Sequence, residues 1–103
     1  MDPNLCKLTL VYPPRSEDAV IAFFLDQQPP LPGFTSWHGS GHGLGFDNAT
    51  TAERVEGRVS RRILSAILEP KRAEDLIESI RLNLPLPHLI YWIEPVLSAG
   101  RLT

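Results

Sequence analysis

Apolar and polar positions along this chain change rhythm five times, and each change marks an element. From Leu5 to Val11 they alternate, with Cys6, Leu8 and Leu10 pointing one way and Lys7 and Thr9 the other. That period of two predicts a first strand with one better-buried face. Pro13-Pro14 stops it. Ser16 is placed to cap a helix, with Glu17 and Asp18 in the first turn, where the helix dipole favours acids. Val20, Phe23, Phe24 and Gln27 then recur at helical spacing, Ile21 and Leu25 widen the stripe, and Pro29-Pro30 ends it. Leu31 to Trp37 predicts a second, weaker strand that starts at Pro32-Gly33.

The longest alternating run is Arg54 to Leu68. Val55, Gly57, Val59, Ile63 and Ile67 share one face; Arg54, Glu56, Arg58, Ser60 and Arg62 share the other, which turns apolar at Leu64, Ala66 and Leu68. A strand apolar on both faces at one end is buried on both, so Leu64, Ala66 and Leu68 are expected at an interface between subunits. Pro70 suits the first position of a second helix, and Ala73, Leu76, Ile77, Ile80 and Leu84 follow its spacing. His88 to Val96 predicts a last strand. The order is βαββαβ, an α+β chain expected to form the ferredoxin-like fold: a four-stranded antiparallel sheet with two helices on one face. Residues 1–103 are expected to make a single domain.

Between the second and third strands lies the glycine-rich stretch His38-Gly39-Ser40-Gly41-His42-Gly43-Leu44-Gly45, continuing to Glu53. Glycine carries a large ordering cost, and a loop of this length is functional or disordered. The expectation is a flexible segment at about 39–53. Successive N–H groups of Gly39, Gly41 and Gly43 could form an anion-binding nest, with charge from Arg58 and Arg62. His38 and His42 are alternative metal ligands, although a tight site needs three or four convergent groups. No Walker ending or Cys-x-x-Cys pair is present, and Ser36, Ser40 and Ser60 lack a triad pattern. An enzyme is therefore not expected.

The formal charge of −2 gives no global electrostatic case for nucleic acid, and no apolar run approaches the ~20 residues of a membrane span. The first residues show no secretory pattern and Cys6 is the lone cysteine, which together predict a cytoplasmic location.

Several segments carry a resemblance. Leu8-Thr9-Leu10-Val11 with Pro13-Pro14, Phe34-Thr35-Ser36, His38-Gly39 with His42-Gly43, Ala52 to Arg58, and Ile90 to Leu97 resemble the PII-like signalling proteins. The similarity is nearest to the small PII-like group found near heavy-metal efflux pumps. It implies a homotrimer and a non-enzymatic regulatory protein. It further implies a small effector, nucleotide or other anion, in the inter-subunit cleft, and a mobile T-loop for a protein partner that could be a membrane efflux transporter. His88, Trp92 and Arg101, in the last strand and tail, join the expected effector set through the same resemblance. The nucleotide-binding members carry a second glycine-rich loop where this chain has Asn83 to His88 without a glycine. The runner-up is a divalent-metal-binding protein similar to the CutA family, using His38 and His42.

Overall fold

The computed structural model describes residues 4–42, 59–84 and 86–103. The elements are β1 (Leu5–Tyr12), a 3-10 turn (Pro14–Ser16), α1 (Glu17–Leu25), β2 (Thr35–Gly41), β3 (Val59–Leu68), α2 (Pro70–Asn83) and β4 (Ile90–Val96). All neighbouring strands are antiparallel, in the order β2-β3-β1-β4. The fold is the expected α+β, ferredoxin-like arrangement.

Strand parity explains the core. Cys6, Leu8, Leu10 and Tyr12 of β1 lie opposite Leu68, Ala66, Leu64 and Arg62 of β3, so these residues share one sheet face. Val20 and Phe24 of α1, with Ala73, Leu76, Ile77 and Ile80 of α2, are buried in one cluster with the apolar members of that set. Both helices therefore cover the same face. α2 begins at Pro70, where the absent N–H would have had no partner in any case. Cys6 is a core residue, and burial pushes its thiol pKa up, with a further contribution from Glu74.

Four expectations change. Leu64, Ala66 and Leu68 are 0%, 2% and 3% exposed within a single chain, packed under the helices and closed to another subunit. The sheet face left open is the other one, carrying Ile63 and Ile67. A run apolar on both faces does not say which face the helices take; the register with β1 decides it. β2 runs from Thr35 to Gly41, past the expected end at Trp37, because Ser40 and Gly41 still pair with Ser60 and Val59. Ser16 is buried and its side chain makes no capping bond. Leu25 closes α1 in an exposed position rather than joining the stripe.

Candidate ligand and assembly site

The residues expected to meet an effector fall into three places. At one end of the sheet, His38 of β2 stands in register with Arg62 of β3, which stands opposite Tyr12 of β1. All three are on the helix-covered side. The buried Tyr12 hydroxyl donates to Glu17 Oε1 at 2.5 Å, and Arg62 Nε pairs with Glu17 Oε2. One carboxylate at the start of α1 thus holds β1 and β3 together. Burial, and then the bond to Glu17, push the tyrosine pKa well above its usual range. Arg62 has one firm partner already, so its charge is only partly free for a ligand. His88 is exposed in the turn that leads into β4 and has φ 64°, the left-handed region that non-glycine residues seldom occupy.

Gly39 and Gly41 lie in β2 rather than in a loop. Their missing side chains have a packing reason. A Cβ on Gly39 would stand 2.7 Å from Ile63 Cδ1, and one on Gly41 would stand 3.2 Å from Val59 Cγ2. The bulky side chains of β3 lean over the edge strand and take that space. Gly43 and Arg58 fall outside the described residues, as does most of the expected 39–53 loop. His38 and His42 are four residues apart on backbone extended through Gly41, on the order of 13 Å by strand geometry. The fold does not bring them together within one chain. Among the described residues, no three His, Cys, Asp or Glu side chains gather as a metal site.

The second place is the open sheet face, where Trp92 lies. By register, one row across it is Trp37, Ile63, Val11 and Ile90, and the next is Thr35, Ser65, Thr9 and Trp92. Trp37, Ile90 and Trp92 are 43%, 56% and 45% exposed. The Trp92 ring nitrogen donates to Glu94 Oε1 at 3.2 Å. Amid this face the Thr9 hydroxyl is buried and has no hydrogen-bond partner. The βαββαβ order implied one sheet face without a helix, but the sequence reading put the interface at Leu64, Ala66 and Leu68 rather than on the row of Val11, Ile63 and Ile67.

The third place is the far end of the sheet. β4 ends at Val96, opposite Leu5, and the segment carrying Arg101 continues from there. Arg101 therefore starts from the end opposite to Arg62 and His88.

A family model described as a protein of unknown function, DUF3240, matches residues 2–103. The chain belongs to the DUF3240 family. None of the curated proteins matches it. A crystal structure of a DUF3240 family protein from Shewanella baltica superposes with a TM-score of 0.77 at 16% identity, covering 100% of both chains. A Thermus thermophilus protein classed as PII-like signalling gives 0.62 at 19% identity, over 93% of this chain and 91% of that one. A Bacillus cereus protein related to NIF3 gives 0.63 at 15% identity, over 95% of this chain but 27% of its own. At these identities the likeness establishes a shared fold. No helix among the described residues is long and apolar enough to cross a membrane.

Proposed function

We propose that this DUF3240 chain is a cytoplasmic, non-enzymatic regulatory protein of the PII kind. Copies associate through the open sheet face into a trimer and hold a small nucleotide or other anionic effector at the cleft between them. The segment from about 39 to 53 then reports the bound state to a protein partner. The observation that carries this reading is the uncovered face itself. Two tryptophans and several branched aliphatic residues stand on one side of a four-stranded sheet, with no helix over them among the described residues. Apolar patches of that kind mark interaction sites. The PII-like neighbour in fold supports the regulatory reading. The link to a heavy-metal efflux transporter rests on the sequence resemblance.

Gly39, Gly41, Gly43, Arg58, His88 and Trp92 are the proposed effector contacts. Arg62 is shared with Glu17, and Arg101 joins only if a neighbouring copy supplies it. The test is calorimetric titration of wild type, Arg58→Ala and His42→Ala with ATP, ADP, AMP, bicarbonate, Zn²⁺, Cu²⁺ and Ni²⁺. For an anionic effector, Arg58→Ala weakens binding about ten- to a hundredfold, the worth of one charge-assisted contact at roughly 1.5–3 kcal/mol. His42→Ala then leaves it unchanged. The reverse outcome, with a metal as ligand, transfers the site to the histidines of adjoining copies. If nothing binds wild type below millimolar concentration, the effector part of the reading is wrong.

A further inference from the structure

At the sheet end where β4 finishes, two features are left incomplete. The segment after Val96 carries Leu97 and Leu102 at 101% and 102% exposure, so neither leucine touches its own chain to any extent. At the same end, on the opposite edge of the sheet, an open groove runs between the Pro32–Phe34 connection and the last residues of β3. It has two adjoining parts of about 490 and 370 Å³ that share Pro32 and Ile67. Leu5, Phe34 and Leu68 give it apolar walls, and both Glu69 and Arg72 line it. Arg72 donates to the Pro29 carbonyl at 2.5 Å and ties the connection to α2.

Charge offers a second correspondence. Glu69 occupies the N-cap position of α2 but makes no side-chain capping bond, and among the described residues it has no ion-pair partner. Arg101, one residue before Leu102, has none either. Lone exposed leucines are ordinary on a protein surface. Two of them flanking an unpaired arginine, with an apolar groove rimmed by an unpaired carboxylate in the same molecule, form a complementary pair of surfaces.

We propose that residues 97–103 are an arm that docks in this groove of a neighbouring copy, with Leu102 against Phe34 and Ile67 and Arg101 paired to the neighbour's Glu69. This rests on the self-association proposed above, and goes beyond it by making each subunit contribute an arm and receive one. Such head-to-tail contacts close a ring when the rotation between copies closes. The arrangement takes Arg101 out of the effector set and gives it to assembly.

The experiment is sedimentation velocity over a dilution series of the full chain. Leu102→Asp, Arg101→Glu and Glu69→Lys are all exposed changes that leave the core intact. Each single change is expected to weaken self-association by roughly tenfold or more, since one buried leucine is lost or an ion pair is replaced by two like charges. The double variant Arg101→Glu/Glu69→Lys restores it to near wild type. Wild type that assembles while the single variants behave identically overturns the arm and leaves the sheet-face reading standing. A double variant no better than its parents removes Glu69 as the partner. Wild type that stays monomeric at every concentration overturns both. In a Cys6→Ala background, mixing chains carrying Glu69→Cys with chains carrying Arg101→Cys is expected to give a covalent dimer on oxidation that neither gives alone. A bond that forms only inside a chain carrying both changes shows the arm folding back on its own groove and overturns the exchange.

Discussion

Replacing Glu17 by alanine is expected to cost this protein about 2.5–4 kcal/mol. Tyr12 is 0% exposed and its hydroxyl donates a hydrogen bond to the Glu17 carboxylate. A hydrogen bond to a charged group contributes about 1.5–3 kcal/mol, and the stranded hydroxyl would have no water to turn to. The ion pair with Arg62 adds less, because the two side chains keep 26% and 21% of their exposure. That places it above a surface pair, at about 0–1 kcal/mol, and below a buried pair, where losing one partner costs about 3–5 kcal/mol; about 1 kcal/mol is a fair allowance. Tyr12→Phe removes only the first interaction and leaves Glu17 paired, so about 1–2 kcal/mol is expected. In urea, with a slope of about 2 kcal/mol per M, Glu17→Ala should move the midpoint down by about 1–2 M at constant slope. Protein concentration must be held fixed, because assembly contributes to apparent stability. A double-mutant cycle on Tyr12→Phe and Arg62→Ala should show coupling through the shared carboxylate. A midpoint for Glu17→Ala within about 0.2 M of wild type, a shift of only about 0.4 kcal/mol at that slope, would refute the reasoning, since it would mean that solvent satisfies both partners.

Other expectations follow from the same geometry. The Tyr12 pKa is raised in the fold, so its contribution is complete below the unfolded value near 10 and is lost as pH climbs beyond it; wild type should lose stability above about pH 10 more steeply than Tyr12→Phe, read by fluorescence-monitored unfolding. Leu64→Ala should unfold the chain more easily by about 2–5 kcal/mol in urea melts, because Leu64 is wholly buried beneath the helices; a variant that dissociates without losing stability would return Leu64 to an interface. Ile63→Glu, opposite Val11 on the open face, should abolish self-association in sedimentation while leaving the circular dichroism spectrum unchanged.

Local rules carried much of the fold into the sequence. Alternation at Cys6, Leu8 and Leu10, the helical stripe from Ala73 to Ile80, and Pro70 at the head of α2 each act within a few residues, and each appears where the pattern put it. What failed was set by contacts across the chain. Gly39 and Gly41 resembled loop residues because their packing reason, the side chains of Ile63 and Val59, lies on another strand. The parity of β3 was ambiguous until its pairing with β1 chose which face met the helices. Glu17 read as a helix-dipole acid, but its partners are Tyr12 and, 45 residues away, Arg62. Of the expected site residues, Trp92 reached the open face and Arg101 lies in the segment that leaves β4 at the far end, a separation that no spacing along the chain reveals.

The lone hydroxyl of Thr9 bears on fidelity. It sits unpartnered in the second row of an otherwise adhesive surface. Oil alone is indifferent to alignment: aliphatic and indole groups would let two copies slide past one another with little change in energy. A hydroxyl sealed away from water without a partner costs about 1–3 kcal/mol, a factor of about five to over a hundred in occupancy. The single chain already carries that cost, so an alignment that parts the neighbouring side chains and brings a polar group or a trapped water to Thr9 recovers it, and the others do not. Thr9→Val should therefore make the single chain no less stable, while broadening the range of ways in which its copies stick together.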